Sequence, residues 1–214
     1  MKTIIFLFLL SFAAKAQVPF AADIQAFKKA DSIHFPGKNK ILFIGSSSFT
    51  FWKSLPQDFP EYPIINRAFG GSQLLDVLRF EKEVIFDYQP KQVVIYCGEN
   101  DLAADENITG KTVFERFKKL YADIRRRLPA VSVVYVSMKP SPSRRHLRAK
   151  EEEGNKWIRL FLKKEKNAAF VDVFHLMLRK NGQPESEYFL QDSLHMNAKG
   201  YKVWQEAIKP KLIK

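Results

Sequence analysis

Residues 41–48 of the chain read Ile41-Leu42-Phe43-Ile44-Gly45-Ser46-Ser47-Ser48. Apolar residues that run into a glycine and three hydroxyls predict a buried strand, a tight turn and the start of a helix. In an open α/β sheet the carboxyl ends of the strands line the ligand crevice, so we expect a serine on this turn to face it. The same pattern describes a phosphate-binding loop, and a serine after glycine is often only a turn residue or an N-cap. The stretch alone therefore leaves a reactive serine and a phosphate site both open.

Strands and helices alternate along the rest of the chain. Runs and stripes of apolar residues predict strands at 41–44, 63–69, 92–97, 131–138 and 168–174, and helices at 22–33, 74–85, 113–128, 147–164 and 197–212. Alternation of this kind implies right-handed crossovers and a parallel sheet covered by helices on both faces. Because no linker or repeat interrupts it, we expect one α/β domain over residues 17–214.

The amino-terminal residues differ in composition from the rest of the chain. Lys2 is followed by an apolar run over 4–12 and then by Ala14-Lys15-Ala16, a small-x-small cleavage site. This pattern predicts a secretory signal peptide over residues 1–16, because the apolar run is too short to span a bilayer. We therefore expect an exported protein, periplasmic or secreted, without a stable membrane anchor.

The cysteine content and the charge of the chain indicate which disulfides and which charged partners to expect. Cys97 is the only cysteine and stands in an apolar run, so we expect a buried thiol and no internal disulfide. The formal net charge of +12 would suit acidic polysaccharide, anionic lipid or nucleic acid. The cations are scattered through predicted helices and alternate with acids, which favours a solvated surface. We expect no nucleic-acid partner.

Polar or glycine-rich turns follow three of the predicted strands, at Gly45-Ser46-Ser47, Gly70-Gly71-Ser72 and Gly98-Glu99-Asn100-Asp101. The carboxyl ends of parallel strands lie on one edge of the sheet, so these turns are expected to meet. Asp192 and His195 precede the last predicted helix and are spaced for a carboxylate–imidazole hydrogen bond. Ser-His-Asp hydrolysis requires that pairing, because the acid orients the imidazole and stabilises its protonated form.

These stretches, in this order, resemble the four blocks of the SGNH hydrolases, the GDSL-type esterase and acylhydrolase superfamily. Residues 45–47 resemble the nucleophile block and residues 66–72 the second block. The third block, Gly-x-Asn-Asp, is matched in full at 98–101, and the last, Asp-x-x-His, at 192–195. The resemblance covers residues 41–200. It implies a flavodoxin-like three-layer α/β/α sandwich with a central five-stranded parallel sheet, and no metal or organic cofactor.

The resemblance also implies a role for each site residue. Ser47 is the expected nucleophile, and His195 and Asp192 complete the expected catalytic triad. The expected oxyanion hole consists of the backbone amides of Ser47 and Gly71 and the side-chain amide of Asn100.

The resemblance leaves the register of two blocks open. Ser46 stands where the family normally has aspartate, so three consecutive serines compete for the nucleophile position. Ser47 is preferred because it is two residues after the strand-ending glycine; we expect Ser46 to support the turn and Ser48 to cap the helix. Gly71 is preferred over Gly70 because a polar residue follows it directly.

A basic segment over 139–148 follows the fourth predicted strand at the same edge of the sheet. Its Lys139, Arg144 and Arg145 are candidate substrate-binding residues for an acidic glycan or a phosphorylated head group. A solvated loop balanced by the three glutamates at 151–153 accounts for the same charges equally well.

The sequence as a whole predicts an exported serine esterase that acts on small-molecule or glycan esters with short acyl groups, such as acetyl groups on carbohydrate. One alternative is a flavodoxin-like protein that binds a flavin or phosphate at the serine-rich loop. That alternative gives Asp192 and His195 no role. Another is a non-catalytic glycan-binding module on the same scaffold.

Overall fold

A sheet of five parallel strands forms the centre of the computed structural model, which describes residues 18–214. The strands are β1 Ile41–Gly45, β2 Ile64–Asn66, β3 Gln92–Tyr96, β4 Ser132–Val136 and β5 Ala168–Val171. They lie in the order β2-β1-β3-β4-β5, and every neighbouring pair is parallel. The predicted α/β fold with five parallel strands is confirmed. The predicted signal peptide at 1–16 lies outside the described residues.

Helices follow the strands and cover both faces of the sheet. They are α1 Ala21–Ile33, α2 Ser47–Thr50, α3 Leu55–Asp58, α4 Leu74–Arg79, α5 Glu81–Val84, α6 Glu99–Ala104, α7 Gly110–Arg127, α8 Arg148–Leu162, α9 Val173–Leu176 and α10 Ala198–Ile208. A 3-10 turn over Pro142–Leu147 leads into α8. Between residues 18 and 214 no helix has both the length and the apolar character needed to cross a membrane.

Two apolar cores separate the sheet from its two helical layers. Successive residues of a strand point to opposite faces, so in β3 Val93 packs in one core and Val94 in the other. The first core is completed by α1, α4, α5, α7 and α8, and the second by α2, α3, α9 and α10. This arrangement confirms the predicted three-layer sandwich.

The strand order creates a topological switch point beside β1. From β1 the chain moves outward to β2 and then returns to the other side of β1 to form β3. Ligands bind at such points in open α/β sheets, outside the carboxyl ends of the strands. Gly45 at the end of β1 is paired with Tyr96 at the end of β3, so the turns after these strands lie side by side.

Two helical regions differ from the sequence-based expectation. The helix predicted over 74–85 is divided into α4 and α5 at Phe80, whose ring packs edge-on against Phe69. The apolar periodicity runs through this break because both helices face the same core. Residues 99–101, predicted as a turn, form the start of α6. Asp101 is buried there and accepts hydrogen bonds from the Leu74 N–H and from Arg116, contacts that no local pattern indicates.

Candidate active site

Ser47 is the one member of the serine triplet after β1 whose side chain is not buried. Gly45 ends the strand at φ +122°, and a Cβ there would lie 1.9 Å from the Tyr96 carbonyl oxygen. A side chain at residue 45 would clash with β3, so glycine is required for the two strands to remain paired as far as Gly45 and Tyr96. Ser46 and Ser48 are 3% and 1% exposed, whereas Ser47 is partly exposed at the start of α2. Burial thus favours Ser47 over its neighbours as the reactive serine.

The residue that caps α2 is Ser46, and the expectation that Ser48 caps it is wrong. Ser46 occupies the N-cap position: its backbone N–H donates to the Tyr96 carbonyl at 3.0 Å, and its backbone carbonyl accepts the Phe49 N–H at 3.0 Å. Ser48 lies inside the helix, and its carbonyl accepts the Tyr201 hydroxyl of α10 at 2.9 Å. The pairing of β1 with β3 sets where the helix begins, and local sequence does not reveal that pairing.

Ser47, His195 and Asp192 come together at the switch point from opposite ends of the chain. His195 Nε2 lies 3.2 Å from Ser47 Oγ, although 148 positions separate the two residues. His195 Nδ1 lies 2.6 Å from Asp192 Oδ2. Because Nδ1 faces a carboxylate, it carries the proton of the neutral ring, and Nε2 is left to accept from the serine hydroxyl. The arrangement has the geometry of an activated nucleophile.

Asp192 is held by the backbone of its own loop. Its Oδ1 accepts the N–H groups of Leu194 and His195, both at 2.9 Å. Partial desolvation opposes ionisation, but these hydrogen bonds and the imidazole outweigh it and lower the pKa of Asp192 to about 2. The carboxylate is therefore ionised at neutral pH and can orient the imidazole.

A second Asp-x-x-His pair shows that the motif alone does not define the site. Beside the end of β5, His175 Nδ1 lies 2.8 Å from Asp172 Oδ2, and the His175 N–H donates to Asp172 Oδ1 at 3.1 Å. This geometry matches that of Asp192 and His195. Within residues 18–214, however, no serine hydroxyl hydrogen-bonds to His175. In the described part of the chain, the Asp192–His195 pair therefore has a serine hydroxyl beside it, and the Asp172–His175 pair does not.

Gly71 and Asn100 line the same crevice as Ser47. Gly71 has φ +85°, a region that favours glycine, which supports its choice over Gly70. Ser72 connects the turns, because its hydroxyl donates to the Gly45 carbonyl at 3.0 Å and its carbonyl accepts from Asn100 Nδ2 at 3.1 Å. In the described part of the chain, the backbone N–H groups of Ser47 and Gly71 have no hydrogen-bond acceptor. They are free to bind a ligand oxygen.

A buried carboxylate, Glu99, lies directly beside Asn100 and was not anticipated from the sequence. Glu99 accepts hydrogen bonds from Lys139 at 2.8 Å, from Ser141 at 2.9 Å and from the Tyr96 hydroxyl, and Arg144 lies 3.2 Å away. Burial acts to raise the pKa of Glu99, but the charges of Lys139 and Arg144 outweigh it and lower the pKa below its usual value. The group is a buried, ionised cluster beneath the part of the crevice that Asn100 and Arg144 line.

The positions of Glu99 and Lys139 relative to the strand ends explain why they meet. Glu99 and Lys139 each stand three residues beyond the last residue of adjacent parallel strands, β3 and β4. The ends of these two strands lie side by side in the sheet, so the residues that follow them are neighbours. The sequence prediction ends the strands at 97 and 138, so the equal offsets become apparent only from the structure.

The three candidate substrate-binding cations occupy three different environments. Lys139 is 2% exposed and is paired with Glu99, so it does not line the crevice, and its expected contact with substrate does not fit the structure. Arg144 lines the crevice and hydrogen-bonds Asn100 Oδ1 at 2.9 Å. Arg145 is exposed and makes no side-chain hydrogen bond or ion pair within residues 18–214. The structure therefore brings only Arg144 to the site.

The crevice is an open depression of about 370 Å³. Apolar Phe51 and Leu194 form part of its wall, and the Phe51 ring meets the His195 imidazole edge to face at 4.7 Å between centroids. Its volume is near the lower end of the range of about 300 to 1,000 Å³ for small-molecule sites. Among residues 18–214, no three His, Cys, Asp or Glu side chains are grouped so that they could hold a metal ion.

Comparison with known proteins identifies relatives of this arrangement. Residues 41–203 match the model of the GDSL-like lipase/acylhydrolase family. No curated protein matches the sequence significantly.

Solved structures share the fold at low sequence identity. A candidate acylhydrolase from Bacteroides fragilis NCTC 9343 aligns at TM-score 0.76 and 21% identity over 89% of this chain and 95% of that one. A GDSL-like lipase from Bacteroides thetaiotaomicron VPI-5482 aligns at TM-score 0.73 and 19% identity over 88% and 96%. A catalytic mutant of Axe2, an acetylxylan esterase from Geobacillus stearothermophilus, aligns at TM-score 0.64 and 14% identity over 82% and 94%.

Proposed function

Because this chain belongs to the GDSL-like lipase/acylhydrolase family and is an ester-bond hydrolase, we propose that Ser47, His195 and Asp192 form its catalytic triad. The observation that carries the proposal is the contact of 3.2 Å between His195 Nε2 and Ser47 Oγ, continued by 2.6 Å from Nδ1 to Asp192. A hydroxyl, an imidazole and a carboxylate in series are what serine nucleophilic catalysis requires.

The proposed reaction proceeds through an acyl-enzyme. His195 Nε2 removes the proton from Ser47 Oγ as the oxygen attacks the ester carbonyl, and Asp192 stabilises the imidazolium that forms. The imidazolium then gives its proton to the departing alcohol. The same imidazole then deprotonates a water molecule, which attacks the acyl group. As the bond between the acyl carbon and Ser47 Oγ breaks, the imidazolium returns the proton to Oγ, and the acid and free Ser47 are released.

The oxyanion that develops during attack is stabilised by three donors in the proposed mechanism. They are the backbone N–H groups of Ser47 and Gly71 and the second N–H of Asn100 Nδ2, whose first N–H is used by the Ser72 carbonyl. Fixed donors aimed at developing charge contribute strongly to rate, and loss of one typically costs about 100- to 1,000-fold in kcat.

The proposed substrates are small-molecule or glycan esters with short acyl groups. The crevice is shallow and open, and Phe51 and Leu194 offer limited apolar surface beside Ser47, which suits an acetyl group better than a long lipid chain. The structural similarity to an acetylxylan esterase is consistent with acetylated carbohydrate as one such substrate. Export, proposed from the signal-peptide pattern over 1–16, would bring the enzyme to extracytoplasmic glycans.

The test measures turnover and active-site labelling with the mature chain. We expect the wild type to hydrolyse p-nitrophenyl acetate faster than longer acyl esters and to react covalently with a fluorophosphonate. Ser47→Ala should lose both activities, whereas Ser48→Ala, a neighbouring buried serine, should retain both. Turnover that survives Ser47→Ala would exclude the proposed nucleophile. Absence of turnover and labelling in the wild type would favour a non-catalytic glycan-binding module.

A further inference from the structure

The 3-10 turn over Pro142–Leu147 contacts both halves of the proposed site. On one side, Arg144 Nη2 donates to Asn100 Oδ1 at 2.9 Å. On the other, Ser143 donates to the Ser193 carbonyl through its backbone N–H at 3.1 Å and its hydroxyl at 2.9 Å. Ser193 lies between Asp192 and His195 in sequence. A single turn therefore connects the oxyanion side chain with the loop that carries the imidazole.

The two contacts of the Asn100 side chain determine which way its amide faces. A guanidinium only donates hydrogen bonds and a carbonyl only accepts them. Arg144 can therefore satisfy only the amide oxygen, and the Ser72 carbonyl, 3.1 Å from Nδ2, can satisfy only the amide nitrogen. A flipped amide would place donor against donor and acceptor against acceptor. The observed orientation leaves the second N–H of Nδ2 available to a ligand.

The charge of Arg144 is balanced from inside the protein. Its side chain is 18% exposed, and Nη1 lies 3.2 Å from Oε1 of the buried Glu99. Ser141 donates to the same Oε1, and Lys139 donates to Oε2. A guanidinium held in this way by two fixed acceptors is rigid. Its exposed neighbour Arg145 has no such partner in the part of the chain that is described. The charge of Arg144 is therefore already paired inside the protein, whereas a cation that binds an acidic substrate needs an unpaired charge.

We propose that Arg144 is a positioning residue that orients the Asn100 amide for the oxyanion hole, and that it does not dock acidic substrates. This inference rests on the proposed esterase function and assigns a further residue to the same site. The oxyanion exists only in the transition state and the intermediates next to it, so a donor that stabilises it acts on kcat. Loss of Arg144 should therefore lower kcat and leave KM for a neutral ester unchanged.

The first experiment compares Arg144→Met with Arg145→Met on p-nitrophenyl acetate. Both changes remove one guanidinium from the same turn, but only the first removes the contact with Asn100. We expect Arg144→Met to lower kcat by about 10- to 100-fold, less than the loss of about 100- to 1,000-fold on removal of an oxyanion donor, because the Asn100 amide stays in place but is no longer oriented. Arg145→Met should keep the wild-type kcat and KM. Arg144→Lys, which retains the charge but not the fork of donors, should give an intermediate kcat and provides a second variant if Arg144→Met does not fold.

The second experiment asks whether Arg144 acts through Asn100. We expect Asn100→Ala to lower kcat by about 100- to 1,000-fold, and Arg144→Met added to it should cause no further loss. An equal loss from Arg144→Met with and without Asn100 would overturn the proposal. So would a raised KM for an anionic ester at unchanged kcat, because that result is expected of a docking cation.

A third measurement does not depend on turnover and separates the two proposals. The side-chain amide signals of Asn100, assigned by their disappearance in Asn100→Ala, should shift in the ¹H–¹⁵N spectrum of Arg144→Met or Arg144→Lys and stay in place in Arg145→Met. Unmoved signals in the Arg144 variants would contradict the positioning role even if esterase activity is intact. Failure of the proposed function would instead appear as turnover that survives Ser47→Ala, or as a wild-type protein that neither hydrolyses the ester nor reacts with the fluorophosphonate.

Discussion

Two buried carboxylates near the site, Glu99 and Glu151, have opposite electrostatic environments. Glu99 is surrounded by Lys139, Arg144 and hydroxyl donors, whereas Glu151 has one buried oxygen without a hydrogen-bond partner within residues 18–214. Burial, and to a smaller extent the negative charge of Glu99, raises the pKa of Glu151 to about 9. Glu151 is therefore protonated at neutral pH, and the cationic side chains of the cluster are left to balance the single charge of Glu99.

The raised pKa of Glu151 predicts a pH-dependent contribution to stability. The folded chain keeps a proton that the unfolded chain loses above its ordinary pKa of about 4.3. The contribution of this group is therefore complete below that pH and declines as pH rises towards the folded-state pKa of about 9. Glu151→Gln removes the titration. Between pH 5 and pH 8 this group should lower the free energy of unfolding of the wild type by on the order of 1 kcal/mol per pH unit. The variant lacks the group, so its free energy of unfolding should rise relative to that of the wild type by the same amount.

Urea unfolding at several pH values measures this effect, and Glu152→Gln is its matched control. Glu152 is the next residue but is exposed and paired with Arg148, so its variant should follow the wild-type pH profile. Parallel profiles for the wild type and Glu151→Gln would show that Glu151 is ionised in the folded protein.

Single residues were predictable where a short motif carries its own chemistry. The spacing of Asp192 and His195 predicts their pairing, the family resemblance implies Ser47 as their partner, and the structure brings the three side chains together. Lys139 differs from the prediction because its charge is paired in the interior with Glu99, which follows a different strand. Burial of a charge depends on a partner that is distant in sequence, and no local pattern contains it.

At the scale of single elements, local chemistry determines where the longest helix begins. The Thr109 hydroxyl accepts the Thr112 N–H at 3.1 Å, and Thr112 Oγ1 in turn accepts the Thr109 N–H at 3.4 Å. This reciprocal cap satisfies amide groups that a helix start leaves without an intrahelical partner. It places the start of α7 at Gly110, three residues before the start predicted from apolar periodicity alone.

Removal of this cap should destabilise the protein without affecting the active site. We expect Thr109→Ala to lower the free energy of unfolding by about 1 kcal/mol, because one N–H loses its acceptor. Thr109→Ser keeps the hydroxyl and should remain within a few tenths of 1 kcal/mol of the wild type. Chemical denaturation measures both. Equal stability of the alanine and serine variants would show that water replaces the cap without cost.

Element boundaries were less predictable than element types. The apolar stripe that extends over 74–85 correctly marks a core-facing surface but passes through the break at Phe80, since α4 and α5 face the same core. Periodicity reports which side of a segment is buried. It does not report whether the backbone is continuous.

At the scale of the whole molecule, the core on one face of the sheet connects the two distant parts of the site. Trp204 of α10 is fully buried and packs against Phe49 of α2 at 5.9 Å and Tyr96 of β3 at 4.7 Å between ring centroids. Helix α10 follows the loop of His195, and α2 begins with Ser47. Packing at Trp204 thus supports the distance between imidazole and hydroxyl.

This packing predicts a joint loss of stability and activity in Trp204→Ala. Truncation of a fully buried aromatic side chain typically costs about 3 to 5 kcal/mol, and we expect that loss in urea unfolding. Among molecules that remain folded, kcat for p-nitrophenyl acetate should also fall, because α10 can shift relative to α2. Trp157→Ala is the matched control: Trp157 is partly exposed on α8 and should have a much smaller effect on both quantities. Wild-type kcat in folded Trp204→Ala would show that the core does not hold the site together.

Patterns within the amino-acid sequence were sufficient to predict the alternation of strands and helices, the parallel sheet and the residue types of the site. Periodicity, turn residues and short motifs are local, and each can be interpreted within a few residues. Three features required the folded chain: Ser46 rather than Ser48 is the N-cap of α2, Lys139 is buried, and Arg144 contacts Asn100. Those outcomes depend on which strand ends are neighbours and which way side chains point, because burial and hydrogen bonding are settled between segments far apart in the chain.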